Sequence, residues 1–374
     1  MTTPAISYSL GSLTEAVRAR LSAWESVEFG KRLWDKDPTL WGDADTPELA
    51  DRLGWLDLPA TMPPEVASLQ EFADEIRADT DHLVLLGMGG SSLAPEVYQA
   101  TFGNADGRPE LIVLDSTHPE SVSAVVDLVD PTRTMFLVAS KSGGTLETMS
   151  LFYFFWEIVS DQVKRPGRQF VALTDPGSSL EALAKKRKFR RVFTTPPDVG
   201  GRYSALTLFG LVPATLIGVD ASALLSGAAA MADACGAGVA AGDNPGLVLG
   251  AAMGEAALAG RDKLTYVVSP SLAAFPGWVE QLIAESTGKN GRGIVPVAGE
   301  PLSGFADYGD DRLFVHVMVA GEDPMGQPAA LEVLQAAGHP VIRIVLDEVT
   351  DVGAEFFRAE VAVAAAGSLL GIHP

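Results

Sequence analysis

The chain has 374 residues, of which 47% are hydrophobic and 20% charged, and its formal net charge is −21. This length and composition predict a globular protein of two or three domains, and the charge excludes a nucleic-acid partner, which needs a basic surface. Cys235 is the single cysteine, so no disulfide framework is expected. The amino terminus does not have the pattern of a signal peptide, and Asp233 interrupts the small-residue stretch 227–242, so we expect a cytoplasmic protein without a membrane span.

Residues 1–80 are charged and helical in pattern, and four tryptophans are spread among them. No run in this segment has the apolar continuity or the alternation of a strand. The sequence therefore predicts an N-terminal helical arm over 1–80, packed on the main body.

From residue 82 the pattern changes to short apolar runs that end in Gly, Asp, Ser or Thr, with helix-length segments between most of them. The runs are HLVLLG, ELIVLDS, RTMFLVAS, QFVALTD and RVFTT. Continuous apolar runs are typical of strands buried on both faces, and alternation with helices is typical of a parallel sheet. We predict a doubly wound α/β domain over 81–215.

After a small-residue helical stretch, the pattern restarts with KLTYVVS, GIVPV, RLFVHVMV and PVIRIVL, and a last helix is expected over 354–370. This predicts a second α/β domain over 220–374, and hence a fold of two doubly wound parallel-sheet domains with a helical arm. Two similar units in one chain suggest a ligand site in the cleft between them.

The segment SKSGGTLET, residues 140–148, follows a predicted buried strand and begins a predicted helix. A helix N-terminus offers unpaired N–H groups and a partial positive charge, and glycines let a ligand approach the backbone. Ser140, Ser142 and Thr145 would add hydroxyl groups, and Lys141 a charge, so the loop predicts a phosphate site. The alternative is ordinary helix capping, which needs only one hydroxyl.

A second glycine-rich loop, GMGGSS at 87–92, follows the first strand of this domain. Gly87 and Gly89 fit the start of a dinucleotide-binding fingerprint, and Asp115 could imitate the ribose-binding acid. Ser92 stands where the third glycine belongs, so the fingerprint is incomplete. A nicotinamide-dependent enzyme therefore ranks below the phosphate-binding hypothesis.

Four motifs, GMGGSSLAPE, SKSGGTLET, GGRYSALTLFGL and EQLIAESTGK, occur in this order. Together they resemble the glucose-6-phosphate isomerase family of two sugar-isomerase (SIS) domains. The likeness is strongest to the isomerase part of bacterial transaldolase/glucose-6-phosphate isomerase fusions. The resemblance covers nearly the whole chain and implies interconversion of glucose 6-phosphate and fructose 6-phosphate without metal or cofactor. It also implies a homodimer that works in glycolysis and gluconeogenesis.

The resemblance assigns roles to individual residues. Arg202 would stabilise the enediolate and Glu285 would be the base that carries the proton between C2 and C1. Glu147 would occupy the place of a glutamate that orients a histidine. The substrate would be held by Gly90, Ser91, Ser140, Lys141, Ser142, Thr145 and Gly201.

The residues themselves support Glu285 as a base in part. On the predicted helix FPGWVEQLIAES, Trp278, Leu282 and Glu285 are spaced to share one face, so we expect the carboxylate to be partly shielded from water. A glutamate at a helix C-terminus also opposes the helix dipole, a local cost that often marks function. Arg202 opens a predicted helix, RYSALTLFGL, where it could stabilise an oxyanion or pair with a surface acid.

The sequence departs from the family in two places. The family's ring-opening histidine is missing from the segment after Glu285, and His339 is the remaining candidate, although a structural role is expected for a histidine just before a strand. The family's C-terminal glutamine and lysine would follow Pro374. A sugar-phosphate-binding module without catalysis is therefore the alternative to an isomerase.

Overall fold

The computed structural model describes residues 3–302, 307–322 and 326–374. Its strands are β1 (Ala5–Ser9), β2 (His82–Leu86), β3 (Glu110–Leu114), β4 (Thr134–Ala139), β5 (Phe170–Thr174), β6 (Arg191–Thr194), β7 (Lys263–Val268), β8 (Val295–Val297), β9 (Arg312–Val319) and β10 (Val341–Leu346). Its helices are α1 (Thr14–Ser26), α2 (Phe29–Trp34), α3 (Leu58–Thr61), α4 (Val66–Ile76), α5 (Leu93–Phe102), α6 (Pro119–Leu128), α7 (Leu146–Gln162), α8 (Ser179–Arg187), α9 (Leu208–Leu216), α10 (Ala221–Ala234), α11 (Pro245–Leu258), α12 (Phe275–Thr287), α13 (Gln327–Ala336) and α14 (Val352–Leu370). Every strand predicted from an apolar run is present.

The chain forms two compact units, which we call the central unit (residues 60–222) and the terminal unit (residues 1–59 and 223–374). In the central unit, five parallel strands form a sheet in the order β3-β2-β4-β5-β6. Every residue of β4 and β5 is buried. This burial explains why their sequences are continuously apolar rather than alternating.

Aromatic rings fill the core of the central unit on one side of its sheet. Phe136 of β4 and Phe170 of β5 stack with their ring centroids 5.2 Å apart. Phe152, Phe155 and Trp156 of α7 close over them and are buried. This packing fixes α7 against the sheet, and it therefore fixes the position of the loop that joins β4 to α7.

The sheet of the terminal unit has the strand order β1-β10-β9-β7-β8. Its strands are parallel except for β1, which pairs antiparallel with β10. Read from the other edge, β8-β7-β9-β10 repeats the chain order of β3-β2-β4-β5 in the central unit. The two sheets therefore share one winding pattern.

The prediction that residues 1–80 contain no strand is wrong for Ala5–Ser9. Strand β1 lies at the edge of its sheet and is only partly buried, so it lacks the apolar run that identified the other strands. Its partner β10 lies more than 300 residues away, and Ala5 pairs with Val345. Such a short polar strand is defined by its partner and not by its own sequence.

The rest of the first 59 residues consists of α1, α2 and short helical segments joined by turns, the longest of them over 42–52, and it belongs to the terminal unit. The indole N–H of Trp41 donates to the carbonyl oxygen of Ala364 at 2.7 Å, and that of Trp34 donates to the carbonyl oxygen of Cys235. These bonds tie the amino-terminal segment to α14 and to the end of α10. No helix among the described residues has both the length and the apolarity to cross a membrane.

Candidate functional site: the hydroxyl-rich loops of the central unit

The central sheet has a switch in chain direction between β2 and β4. From β2 the chain moves outward to β3, and it then returns to β4 on the other side of β2. At such a switch the loops that follow the two central strands diverge, and ligands of open α/β sheets bind in the resulting crevice. Here these loops are 87–92 and 140–145, the two glycine-rich segments that the sequence singled out.

The loop after β4 does not use its threonine as a helix cap. Thr145 is the N-cap residue of α7, but its side chain makes no hydrogen bond to the backbone of that helix. Its hydroxyl instead lies 2.9 Å from the hydroxyl of Ser140, which is buried. The first-turn N–H groups of α7 are therefore not capped by this side chain, and two hydroxyls stand beside them. This arrangement favours an anion site over simple capping.

Two glycines shape the same loop differently. Gly143 has a φ of +72°, and a Cβ on it would lie 2.5 Å from the backbone nitrogen of Leu180. Gly144 has an ordinary φ, and its N–H donates to the hydroxyl of Ser142 at 3.2 Å. Gly143 is thus required for the fold of the loop, whereas Ser142 is exposed at its outer side.

Lys141 has a different partner from the one expected. Its ammonium group lies 2.6 Å from a carboxylate oxygen of Asp175, and both side chains are about four-fifths buried. The hydroxyl of Thr195 donates to the same carboxylate oxygen at 2.9 Å. The charge of Lys141 is therefore balanced within the protein, so the structure places this side chain in an ion pair rather than free for a phosphate.

Residues of the turn after β5 brace the loop, and sequence reasoning missed them. The hydroxyl of Thr174 donates to the carbonyl oxygen of Ser140 at 2.7 Å, and that of Ser179 donates to the carbonyl oxygen of Gly143 at 2.8 Å. The hydroxyl of Ser178 accepts from Glu181 as the N-cap of α8. The signal was present in the sequence TDPGSSLE, which is another hydroxyl-rich turn between a strand and a helix.

The other glycine-rich loops contact each other. A Cβ on Gly90 would lie 2.3 Å from the carbonyl oxygen of Gly201, so only glycine permits this approach. The hydroxyl of Ser204 donates to the carbonyl oxygens of Gly90 at 3.0 Å and of Gly201 at 2.6 Å. The segments GMGGSS and GGRYS therefore form one wall, with Ser91 half-buried beside Gly90.

Arg202 lies in this wall and is half-buried. Its guanidinium carbon is 5.6 Å from the centroid of the Tyr203 ring, a distance typical of a cation–π contact. The helix predicted to begin at Arg202 begins instead at Leu208, because Thr207 caps it by accepting from the N–H of Phe209. Arg202 belongs to a short 3-10 turn at Gly201–Tyr203, so it is carried by a loop and not by a helix.

Glu285 of the terminal unit is exposed, which corrects the expectation of a shielded carboxylate. It lies in the last turn of α12, whose buried face is centred near Val279 and Ser286. The spacing from Trp278 is right, but Trp278 itself lies at the border of that face. At 3.6 residues per turn, Glu285 is roughly a third of a turn from its centre.

Gln281 is a neighbour of Glu285 that sequence reasoning missed. It lies one turn earlier on α12, and its side-chain amide donates to a carboxylate oxygen of Glu285 at 2.9 Å. This bond holds the carboxylate in one orientation. The i, i+4 spacing in EQLIAE was the available signal.

The structure places His339 at the amino end of β10 and buries it. Its ring lies edge-on to the rings of Tyr308 and Phe314, with centroids 6.3 and 5.7 Å away. The amino end is opposite to the strand ends at which α/β sheets bind ligands. This environment favours a structural histidine. Glu147 is exposed in the first turn of α7, where an acid stabilises the helix dipole.

The fold and its loops define a class of protein: an α/β chain of two doubly wound units, one of which has glycine-rich and hydroxyl-rich loops at its switch point. A sequence model described as phosphoglucose isomerase matches residues 66–310, nearly two thirds of the chain. The chain therefore belongs to the phosphoglucose isomerase family.

Two curated relatives agree with this assignment. A glucose-6-phosphate isomerase from Carboxydothermus hydrogenoformans is 35% identical over 264 residues, which cover 66% of this chain and 56% of the relative. One from Rubrobacter xylanophilus is 31% identical over 333 residues, which cover 83% of this chain and 76% of the relative. The match to the first relative thus spans little more than half of that protein's length.

Two solved structures share the fold. A hypothetical protein from Thermus thermophilus superimposes with a TM-score of 0.81 at 24% identity, covering 98% of this chain and 95% of the other. A glucose-6-phosphate isomerase from Chlamydia trachomatis gives a TM-score of 0.72 at 20% identity, covering 92% and 74%. The predicted fold class is confirmed, while the likeness to transaldolase fusions stays a prediction.

Proposed function

We propose that this chain is an aldose–ketose isomerase that interconverts glucose 6-phosphate and fructose 6-phosphate through a cis-enediolate, a step of glycolysis and gluconeogenesis. The observation that carries the proposal is the loop after β4, where Thr145 turns its hydroxyl to Ser140 instead of capping α7. That arrangement suits a phosphate group, which accepts hydrogen bonds from hydroxyls and from helix-terminal N–H groups. Relatives named glucose-6-phosphate isomerase support the choice of substrate.

Arg202 and Glu285 carry the proposed chemistry. Removal of a proton from C2 leaves negative charge on the enediolate oxygens, and the fixed charge of Arg202 would stabilise it. Glu285 would take this proton and return it to C1, with Gln281 orienting its carboxylate. Gly90, Ser91 and Gly201 would contribute backbone and hydroxyl groups to substrate binding. Ring opening by His339 stays a prediction that its buried position disfavours.

The exposure of Glu285 supports a second candidate, a sugar-phosphate-binding module without catalysis. A base that transfers a proton within one substrate molecule works best when water is excluded, and in this structure water reaches the carboxylate. The phosphate loop is equally compatible with both candidates, so activity has to decide between them.

Glu285→Gln separates the two candidates. For an isomerase, loss of the general base lowers kcat by about 10²–10⁴-fold, while binding of 6-phosphogluconate stays within a few-fold of the wild type. Glu280→Gln is the matched control, because Glu280 is an exposed glutamate of the same helix, and it should keep full activity. The assay is coupled conversion of fructose 6-phosphate, with calorimetry for binding.

The binding module would be favoured if the wild-type chain bound 6-phosphogluconate but did not isomerise fructose 6-phosphate. Residual activity of Glu285→Gln equal to that of Glu280→Gln would assign the proton transfer to another group. We further propose that the protein is cytoplasmic and forms a homodimer. Sedimentation of the purified chain tests the dimer.

A further inference from the structure

The central unit carries a concentration of positive charge that is unusual for this acidic chain. Nine of the 27 lysine and arginine residues fall in two short segments, KRPGR at 164–168 and KKRKFRR at 185–191. The first segment precedes β5 and the second leads into β6, and these two strands are neighbours in the central sheet. Both segments therefore lie at the amino ends of the strands, whereas the hydroxyl-rich loops lie at the carboxyl ends.

The two segments contact each other and form one surface, which we call the basic patch (residues 164–168 and 185–191). A Cβ on Gly167 would lie 2.2 Å from the carbonyl oxygen of Arg187 and 2.4 Å from that of Lys188. The backbone N–H of Arg190 donates to the carbonyl oxygen of Phe170, just after the first segment, at 2.8 Å. The positive charges of both segments are thus held close together, although like charges repel.

Most of these charges have no acidic partner. Only Arg168, Lys185 and Arg190 form ion pairs with carboxylates of the described residues. The other six cations form none within the described part of the chain, although the sequence has 48 acidic residues. They are Lys164, Arg165, Lys186, Arg187, Lys188 and Arg191. Cations in the last turn of α8 complement its dipole, but that effect ends within the turn and does not account for the whole patch.

The patch already binds carboxylates at one edge. A guanidinium nitrogen of Arg190 lies 3.0 Å from both carboxylate oxygens of Asp79, and its Nε donates to Glu75 at 3.0 Å. Arg168 lies 3.8 Å from the same glutamate. The side chain of Arg190 is 4% exposed, so these acids, at and just after the end of α4, cover it almost completely. Two acids of one helical segment can therefore satisfy cations of this surface.

Other polyanions fit the patch less well. Sites for single-stranded nucleic acid combine cations with exposed aromatic rings on which bases stack. The nearby Trp156 is 7% exposed, and the guanidinium carbon of Arg187 lies 4.4 Å from its ring centroid and covers it. A nucleic-acid duplex or an anionic membrane is an extended surface, which would also face the acidic remainder of a chain whose net charge is −21.

We propose that the basic patch binds an acidic, carboxylate-rich segment of a partner protein. Such a segment needs to cover only the patch itself, and its carboxylates would pair with the cations that have no acid of their own. The acids at the end of α4 show the same pairing within the chain. This surface is independent of the proposed isomerase activity, which uses none of its residues.

Binding of a fluorescein-labelled poly-glutamate peptide of about ten residues to the full chain provides the direct test, with fluorescence anisotropy as the readout. The expected result is saturable binding that weakens about tenfold or more between about 50 and about 200 mM NaCl, because salt screens exposed charges. Absence of saturable binding at the lower salt concentration overturns the proposal.

Two double variants locate the binding. Lys186→Gln/Lys188→Asn removes two cations of the patch and should weaken peptide binding at least about fivefold; asparagine tolerates the left-handed backbone of Lys188, whose φ is +57°. Arg18→Gln/Lys31→Gln removes two exposed cations of the terminal unit and should change binding less than about twofold. Equal weakening by the two would mean that the peptide responds only to net charge.

Two further measurements exclude other occupants. A single-stranded DNA of about 20 nucleotides should bind more weakly than the peptide; tighter binding that Lys186→Gln/Lys188→Asn abolishes would make the patch a nucleic-acid surface and sink the proposal. Sedimentation should give the same mass for this variant and the wild type. A lower mass for the variant would assign the patch to contact between two copies of the chain instead. None of these results depends on whether the chain isomerises hexose phosphates.

Discussion

The two units wind their sheets in the same order, but the loops at their switch points have opposite chemistry. In the central unit, glycines and hydroxyls follow β2 and β4, and Ser140 and Thr145 converge beside the first turn of α7. In the terminal unit, the chain direction switches between β7 and β9, and the described lining of the cavity at the end of β7 is mainly apolar, with Glu300, which pairs with Arg312, and the amide of Gln327. The fold thus provides a crevice, and the loop residues decide what it can bind.

The largest expected effect comes from Gly143, the glycine that shapes the hydroxyl-rich loop of the central unit. Gly143→Ala forces a Cβ to 2.5 Å from the Leu180 nitrogen at a φ of +72°, so we expect a loss of roughly 2–5 kcal/mol in stability from strain and overpacking. Binding of 6-phosphogluconate should be lost with it. Thermal unfolding and calorimetry measure the two effects.

Gly144→Ala is the matched control for this prediction. A Cβ there has only the Ser142 hydroxyl near it, at 3.9 Å, and φ is not positive. The melting temperature should change little. Equal destabilisation by the two substitutions would mean that the contact with Leu180 does not determine the loop conformation.

The sequence predicted the strands of both sheets and the positions of the glycine-rich loops, because the residues that indicate them are neighbours along the chain. Buried parallel strands such as β4 and β5 are apolar at every position, and loops with Ser, Thr and Gly stand out against them. The loop 140–145 was visible from its composition and its place between a strand and a helix, while its role as a phosphate site stays a prediction. The contact of Gly90 with Gly201 did not, because it joins residues 111 positions apart through backbone atoms.

What the sequence missed depends on partners distant along the chain. The sequence predicted Lys141 as a phosphate ligand, but its ammonium group pairs with Asp175. Thr174 was predicted only as the end of a strand, but its hydroxyl supports the loop by donating to the carbonyl oxygen of Ser140. The expectation that Glu285 is shielded came mainly from its helical spacing to Trp278. Such spacing gives the angle between two positions on the helix, but it does not give the direction of the buried face. The buried face depends on all the elements packed against α12, and Glu285 lies at its edge.

The next largest effect concerns the terminal unit, where His316 makes the stability of the folded chain depend on pH. Burial, with the charge of Arg343 adding to it, lowers the pKa of His316 to about 4 from its usual 6.5, and neighbouring Gln327 acts in the opposite direction. Below pH 6.5 the unfolded chain binds a proton that the folded chain excludes. Stability should therefore fall as the pH drops from 6.5 to 4, by up to roughly 3 kcal/mol.

Urea unfolding at several pH values checks this, with His316→Gln as the variant that should flatten the dependence. His118→Asn is the control, since His118 is an exposed N-cap in the central unit and asparagine keeps the cap. If His316→Gln retained the full wild-type dependence between pH 6.5 and 4, another group would be responsible for it.

The smallest expected effect concerns Lys141, and it tests how the proposed phosphate site of the central unit would hold its ligand. Because Asp175 balances the charge of Lys141 at 2.6 Å, Lys141→Met should weaken 6-phosphogluconate binding by less than tenfold, about 1 kcal/mol. Asp175→Asn releases the lysine charge and should strengthen binding by a similar factor. A direct contact between Lys141 and the phosphate would instead make Lys141→Met cost a hundredfold or more, and Asp175→Asn would then have little influence. The pair of measurements thus distinguishes a site built from hydroxyls and backbone N–H groups from a site that depends on a lysine. The hydroxyl groups are the feature that separates the switch point of the central unit from that of the terminal unit.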